Sequence, residues 1–203
     1  MKLPRIMLAA PASGSGKTLI TCGILSALVK RGYRTASFKC GPDYIDPMFH
    51  SRVIGTRSGN LDTFFTEASV TRYLFGKAAR EAEISVVEGV MGYYDGLAGI
   101  SAKASSADVA RTLDIPVVLI VNCRGLSVSL LPLLQGFLEF KKPSRIQGII
   151  LNQVSEGMYP DLKRMVEERF PLKVLGYVPR LTDWTLESRH LGLVLPGGIE
   201  ELQ

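Results

Sequence analysis

Short runs of apolar, mostly β-branched residues alternate along the chain with longer stretches in which apolar residues recur every three or four positions. The short runs predict buried strands, and the longer stretches predict amphipathic helices. The predicted strands lie at residues 6–10, 34–39, 84–88, 117–121, 146–151 and 173–178. The predicted helices lie at residues 17–30, 70–82, 106–113, 126–140 and 161–169. This alternation predicts an α/β fold with five or six strands in a mostly parallel sheet and helices on both faces.

One segment, residues 41–65, departs from this pattern because it shows little periodicity and is rich in Gly, Pro, Asp and Thr. A long irregular connection inside a compact domain is usually functional or disordered. Its aromatic and acidic residues argue against disorder, so we expect a functional connection here. Residues 1–192 are predicted to form one domain, and residues 193–203 are expected to begin a linker or to be a cut end.

Composition excludes several classes of protein. The chain has 203 residues, of which 46% are apolar and 21% charged, as in an ordinary soluble domain. No apolar run approaches the roughly 18 residues that a membrane span needs, and the stretch at residues 6–10 is too short for a signal-peptide core. A cytoplasmic protein without a membrane partner is therefore expected. Three widely spaced cysteines and two histidines favour reduced structural thiols over a metal site.

The net charge of +5 suits a polyanionic ligand. Nucleic acid is not the expected ligand, because the chain has no dense Lys/Arg run interleaved with aromatic residues.

A glycine-rich loop follows the first predicted strand and opens the first predicted helix, which is the context of a phosphate-binding loop. Its residues are Gly14, Ser15, Gly16, Lys17 and Thr18. Glycines let backbone N–H groups approach phosphate oxygens, and the helix N-terminus adds partial positive charge. Lys17 would reach the β and γ phosphates, and the Thr18 hydroxyl would ligate Mg²⁺. The strict motif has Gly where this chain has Pro11. The loop nevertheless predicts a P-loop NTPase-like fold with ATP and Mg²⁺ as cofactors.

Asn152 ends a predicted strand, where its amide can donate and accept along a purine edge. Guanine-specific P-loop proteins continue as Asn-Lys-x-Asp, whereas this chain reads Asn-Gln-Val-Ser. Adenine is therefore the expected base.

Charged residues follow two other predicted strands, at the carboxyl ends where ligands bind in open parallel sheets. Glu88 ends one apolar strand, and Lys39 and Asp43 follow another. Glu88 and Asp43 are predicted to hold Mg²⁺ with Thr18, because Mg²⁺ takes one or two carboxylates. Lys39 is either a cation for a substrate carboxylate or a solvated strand end. The alternative roles for Asp43, Asp46 and Asp95 are turn caps, because the first two lie beside prolines and Asp95 precedes a glycine.

The chain resembles the cobyrinic acid a,c-diamide synthase family in four motifs: PASGSGKT at residues 11–18, FKCGPDYIDP at 38–47, EGVMGYYDG at 88–96 and RHLGL at 189–193. It is also similar to dethiobiotin synthetase. The resemblance implies an ATP-dependent amidoligase that activates the c and then the a acetate group of a corrinoid as an acyl phosphate. It further implies that a glutamine amidotransferase domain, absent from this chain, supplies ammonia.

The resemblance also suggests roles for individual residues. Lys39 would bring the substrate carboxylate close, and Asp43, Asp46 or Asp95 would remove a proton from ammonium. Tyr44 and His50 would form part of a wall for the flat macrocycle. A symmetric homodimer is the default expectation.

Two alternatives stay open at this point. One is amidation of another tetrapyrrole, as in cobyric acid synthase or a nickel-tetrapyrrole a,c-diamide synthase. The other is a partitioning-type ATPase switch, although such switches usually carry a second lysine early in the loop, and residues 11–13 contain none.

Overall fold

The computed structural model describes residues 3–180. The RHLGL motif at residues 189–193 and the linker or cut end expected at residues 193–203 lie outside the described residues. Seven strands occur within them: β1 Arg5–Ala9, β2 Thr35–Cys40, β3 Arg57–Leu61, β4 Ile84–Glu88, β5 Val117–Asn122, β6 Ile146–Asn152 and β7 Lys173–Val178. The α-helices there are α1 Lys17–Lys30, α2 Ile45–Phe49, α3 Ala68–Ala79, α4 Ser106–Leu113, α5 Leu130–Glu139 and α6 Tyr159–Arg169.

The seven strands form one sheet in the order β3-β2-β4-β1-β5-β6-β7, and every pair is parallel. Side chains of successive residues in a strand point to opposite faces, so the sheet has two cores. Met7 and Ala9 of β1 pack in a core with α3, α4, α5 and α6. Leu8 packs with Ile20 and Leu25 of α1 in the other core. The α/β fold with helices on both faces is confirmed.

The strand order places a topological reversal at the centre of the sheet. β1 lies between β4 and β5, and the chain leaves β1 toward β2 on one side but leaves β4 toward β5 on the other. The helices that follow β1 and β4 consequently pack on opposite faces of the sheet. Ligands of open α/β sheets bind at the carboxyl ends of the strands where this reversal occurs. The loops after β1 and β4 are therefore the expected walls of the site.

The expectation of five or six strands, with an irregular connection at residues 41–65, is corrected by the structure. That connection contains the short helix α2, a π-helical turn at His50–Ile54 and the edge strand β3. β3 reads Arg-Ser-Gly-Asn-Leu, and only its last residue is buried. An edge strand with one buried residue lacks the apolar alternation that identifies strands in a sequence. Within residues 3–180, every helix is too short or too polar to span a bilayer.

The three cysteines are free thiols, and Cys40 and Cys123 are buried. Burial raises the pKa of Cys22 and of Cys40 to about 12 and that of Cys123 to about 11. Because the thiolate is the nucleophile, we expect the native protein to react slowly with Ellman's reagent at pH 8. All three thiols should react at once in guanidinium chloride. Rapid reaction of a thiol in the native protein would contradict this assignment.

Candidate active site

The phosphate loop joins β1 to α1 and contains two glycines in the left-handed region. The φ angle is +72° at Gly14 and +91° at Gly16, values that other residues adopt at a cost. Gly16 immediately precedes α1 and offers no side chain to cap its first turn. The amide hydrogens at the start of the helix are thus left for a ligand, and they carry the positive end of the helix dipole. This geometry is that of an anion site.

Asn152, at the end of β6, braces the phosphate loop. Its Nδ2 donates to the carbonyl oxygen of Ser15 at 2.9 Å, and its Oδ1 accepts from the backbone N of Gln153 at 3.0 Å. The Ser15 hydroxyl in turn donates to the carbonyl oxygen of Ala12 at 2.8 Å. The structure thus engages both ends of the Asn152 amide within the chain. A purine-reading role for Asn152 stays a prediction from sequence.

The two loop glycines give a matched pair of substitutions. A Cβ on Gly16 would overlap the Asn152 Nδ2, whereas a Cβ on Gly14 meets no atom of the described chain within 4 Å. Both alanines incur the left-handed penalty of roughly 1–2 kcal/mol, but only Gly16→Ala also displaces the brace. We expect Gly16→Ala to weaken binding of an ATP analogue at least tenfold more than Gly14→Ala does, by isothermal titration calorimetry. Equal losses in the two variants would contradict the brace.

A buried charge cluster lies at the ends of β2 and β4. The Lys39 ammonium is 2.7 Å from Oε1 of Glu88 and 2.6 Å from Oδ2 of Asp46, and all three side chains are buried. Burial alone would lower the pKa of Lys39, but the two carboxylates outweigh it and raise that pKa. Burial raises the pKa of Glu88, and the ammonium of Lys39 opposes the shift. Lys39 is therefore not a solvated strand end, and it is already paired within the chain.

The cluster connects directly to the phosphate loop. The Thr18 hydroxyl donates to Oε1 of Glu88 at 2.6 Å. Because β1 and β4 are adjacent, Leu8 pairs with Glu88 in the sheet, which brings the acid beside the loop that follows β1. The structure therefore brings these two predicted site residues together, and their binding of Mg²⁺ stays a prediction.

Lys17 bridges the loops that follow β1 and β4. Its buried ammonium donates to the carbonyl oxygen of Met91 at 2.6 Å and to that of Ala12 at 3.3 Å. Met91 has a φ of +48°. Burial, assisted by the charge of Lys39, lowers the pKa of Lys17 to about 8. Lys17 is thus a desolvated cation held by neutral carbonyl groups.

Asp95 shapes the loop after β4. Its Oδ2 accepts a hydrogen bond from the backbone N of Gly92 at 2.9 Å. A Cβ on Gly92 would overlap both this carboxylate and the carbonyl oxygen of Pro11. The structure therefore gives Asp95 the turn-stabilising role that was the alternative to catalysis.

Asp43 and Tyr44 lie at the mouth of the site, just before α2. Oδ1 of Asp43 accepts from the backbone N of Ile45 at 2.9 Å, so this residue stabilises the turn. Burial and the nearby Asp46 raise the pKa of the half-buried Asp43. Tyr44 is 69% exposed. No hydrogen bond or ion pair in the described part of the chain joins Asp43 to Thr18 or Glu88.

His50 lies inside the protein. Its side chain is completely buried, and its Nε2 is 3.7 Å from Oε2 of Glu88. Burial lowers the pKa of His50 to about 4, so the imidazole is neutral at physiological pH. In this conformation His50 cannot form a wall for a macrocycle, which corrects the role expected from sequence. Its burial depends on the π-helical turn, for which the sequence offers no local signal.

The donor set fits Mg²⁺. Oxygen ligands from a hydroxyl and a carboxylate are those that this hard cation prefers, and Thr18 and Glu88 supply them side by side. Oε2 of Glu88 accepts no hydrogen bond from any described residue. A buried carboxylate oxygen without a hydrogen-bond donor, beside a phosphate loop, is consistent with a cation ligand. Among residues 3–180, no group of three or more His, Cys, Asp and Glu side chains forms a separate metal site.

A parallel sheet with a phosphate loop after β1 and a buried acid at the end of the adjacent strand defines a P-loop nucleotide-binding protein. The chain belongs to the CobQ/CobB/MinD/ParA nucleotide binding domain family, whose model matches residues 6–194.

Curated relatives confirm the resemblance found in the sequence. The cobyrinate a,c-diamide synthase of Methanocaldococcus jannaschii is 40% identical over all of this chain and 46% of its own length. That of Clostridium tetani is 44% identical over 98% of this chain and 44% of its own. The hydrogenobyrinate a,c-diamide synthase of Brucella anthropi is 44% identical over 97% of this chain and 45% of its own. The chain thus spans less than half the length of these relatives.

Solved structures share the fold. The signal recognition particle 54 kDa protein of Aeropyrum pernix, in complex with GDP, has a TM-score of 0.62 at 19% identity, over 88% of this chain and 42% of that one. A nucleotide-binding protein of Archaeoglobus fulgidus, in complex with ADP, has a TM-score of 0.57 at 13% identity, over 89% and 83%. These structures confirm the P-loop NTPase-like fold. Nucleotide binding is supported by the match to the family model.

Proposed function

We propose that this chain binds ATP with Mg²⁺ and phosphorylates the c and then the a acetate carboxylate of a cobyrinic-acid-type corrinoid. Ammonia then displaces the phosphate to give an amide. The observation that carries the proposal is the contact between the phosphate loop and a buried acid, Thr18 Oγ1 to Glu88 Oε1 at 2.6 Å. The substrate class comes from the names of the curated relatives.

The nucleotide is held by the residues of the phosphate loop. The backbone amides of Gly14, Ser15 and Gly16 face the triphosphate, and Lys17 exchanges the Met91 carbonyl for phosphate oxygens. Replacing a neutral acceptor by an anionic one strengthens the hydrogen bonds of a desolvated ammonium. Thr18 and Glu88 would hold Mg²⁺, which when bound neutralises charge on the phosphates.

The phosphoryl transfer itself needs positioning and charge compensation more than covalent help. A carboxylate oxygen of the substrate attacks the γ phosphorus, and the bond from that phosphorus to the ADP oxygen breaks. Lys17 stabilises the charge that develops on the transferred group. Lys39 keeps the two buried carboxylates beside it compensated, and its remaining donor is available to the incoming carboxylate.

Amide formation consumes the acyl phosphate. The nitrogen of ammonia attacks the acyl carbon, the carbon–oxygen bond to phosphate breaks, and a proton leaves the nitrogen. Asp43 is the acid best placed to accept a proton, because it is half-buried at the mouth and its pKa is raised by burial and by Asp46. Asp46 and Asp95 are engaged with Lys39 and Gly92, so they act by holding the site together.

The substrate is proposed to lie over the loops after β2 and β4. Tyr44 and Met91 offer exposed apolar surface there for a flat macrocycle. We further propose that ammonia comes from a glutamine-hydrolysing domain and that the protein forms a homodimer without nucleic acid or membrane partners.

The test is ATP turnover by this chain with ammonium chloride and a panel of tetrapyrrole acids. Cobyrinic acid and hydrogenobyrinic acid should stimulate phosphate release, and mass spectrometry should find a mono- and a diamide. Stimulation only by a corrinoid that already carries the a and c amides, or only by a nickel tetrapyrrole, would move the assignment to those substrates. ATP hydrolysis that no tetrapyrrole affects, with tight DNA binding, would instead support a partitioning-type switch.

A further inference from the structure

His50 and Glu88 face each other as two buried polar groups that the rest of the site leaves unsatisfied. Neither ring nitrogen of His50 has a hydrogen-bond partner within residues 3–180, and neither does Oε2 of Glu88. The separation of His50 Nε2 and Glu88 Oε2 is 3.7 Å, just beyond hydrogen-bond length. Buried polar groups without partners are rare and costly, so each such group calls for an explanation.

A network of hydroxyl groups from neighbouring residues holds the backbone of His50. The carbonyl oxygen of His50 accepts from both the backbone N and the hydroxyl of Thr56, at 3.0 and 3.1 Å. The Thr56 hydroxyl also contacts that of Ser37 at 2.8 Å and that of Ser58 at 3.0 Å, which tie the π-helical turn to β2 and β3. A π-helical turn is uncommon and is often found at functional sites. The protein therefore fixes the backbone that carries this buried imidazole.

Glu88 receives different partners on its two oxygens. Oε1 accepts from Thr18 at 2.6 Å and from Lys39 at 2.7 Å. Oε2 has no hydrogen-bond partner among the described residues and lies 3.7 Å from His50 Nε2. A lysine compensates the charge of the carboxylate, which weakens its attraction for a cation. The imidazole of His50 instead faces Oε2, the oxygen that accepts no hydrogen bond from residues 3–180, where an N–H donor would orient the carboxylate.

We propose that His50 is a positioning residue that orients the carboxylate of Glu88 for the Mg²⁺·nucleotide complex. The inference rests on the proposed function. If the Thr18 hydroxyl turned toward a bound cation, Glu88 would lose one donor on Oε1, and a small rotation would bring Oε2 within reach of His50 Nε2. Removing a residue that hydrogen-bonds to a metal-ligating side chain typically changes metal affinity by 10–100-fold.

The test compares two replacements of similar length, His50→Met, which has no donor, and His50→Gln, which keeps an N–H donor. The measured quantity is the factor by which Mg²⁺ tightens binding of adenylyl imidodiphosphate, relative to binding in EDTA. His50→Met should lower this factor about tenfold, and His50→Gln should keep most of it. Val53→Ala, an exposed change on the same turn, is the control. In a Glu88→Gln background, His50→Met should have no further effect.

A second measurement uses the unaltered chain, so it does not depend on the variants folding. The chain has two histidines, so ¹⁵N-histidine labelling gives two imidazole spin systems, which a His190→Gln variant assigns. The Nε2–H signal of His50 should shift when Mg²⁺·nucleotide binds and stay unchanged with nucleotide in EDTA. An unmoved signal would overturn the role of His50 but not the proposed function. Equal tightening of nucleotide binding by Mg²⁺ in His50→Met and His50→Gln would do the same. Nucleotide binding that Lys17→Ala does not weaken would overturn the proposed function as well.

Discussion

Replacing Lys39 with methionine is expected to lower the free energy of unfolding by about 3–5 kcal/mol. The substitution keeps most of the side-chain volume but leaves the carboxylates of Glu88 and Asp46 buried without their shared cation. Removing one partner of a buried ion pair costs this much because the remaining charge is uncompensated. Urea denaturation followed by circular dichroism measures the change.

Two further variants show whether the loss comes from the uncompensated charge. Lys30→Met removes an exposed lysine from the end of α1 and should change stability by less than about 0.5 kcal/mol. Adding Asp46→Asn and Glu88→Gln to Lys39→Met should recover part of the loss, because both orphaned groups become neutral. A stable Lys39→Met protein would contradict the burial of the cluster.

Lys17→Ala is expected to lower phosphate release about 10²–10³-fold while leaving stability unchanged or slightly increased. The loss of rate follows because this ammonium is the cation placed to stabilise the transferred phosphoryl group. The free energy of unfolding should change little, because burial lowers the pKa of Lys17 to about 8 and the charged form of Lys17 therefore adds little to the stability of the folded protein. Single-turnover phosphate release and urea denaturation measure the two quantities.

The two lysines are thus expected to behave in opposite ways. Lys39→Met should reduce stability strongly, and Lys17→Ala should reduce turnover in a protein that remains folded. Lys17→Met is the matched control, since it removes the charge with little change in volume and should lose as much turnover as alanine. A Lys17→Ala protein with normal turnover would contradict the role of the phosphate loop.

Much of the architecture could be predicted because the central strands are almost wholly apolar and the phosphate loop is local in sequence. β5 shows this most clearly, since Val117–Asn122 is buried along almost its whole length. The meeting of Thr18 and Glu88 could also be predicted, because both follow strand ends in a parallel sheet. Ser105 accepts a hydrogen bond from the backbone N of Asp108 at the start of α4, and a serine before a helix is a local signal of this kind.

The remainder depends on contacts that local sequence does not encode. The edge strand β3 is polar, and it is recognisable only once β2 is in place beside it. The pairing of Lys39 with Asp46 requires α2 to fold back over the end of β2, and the burial of His50 requires the π-helical turn. Lys17 contacts the backbone carbonyl oxygen of Met91, and because every residue has such an oxygen, the residue type at position 91 does not indicate the contact.

A crystal structure of the chain with Mg²⁺ and adenylyl imidodiphosphate would show directly whether the phosphate loop binds the nucleotide. We expect a triphosphate against the amides of residues 14–18, with the Lys17 ammonium moved from the Met91 carbonyl onto phosphate oxygens. We also expect a cation between the Thr18 hydroxyl and the Glu88 carboxylate. A nucleotide bound elsewhere, with Lys17 still on Met91, would contradict both expectations.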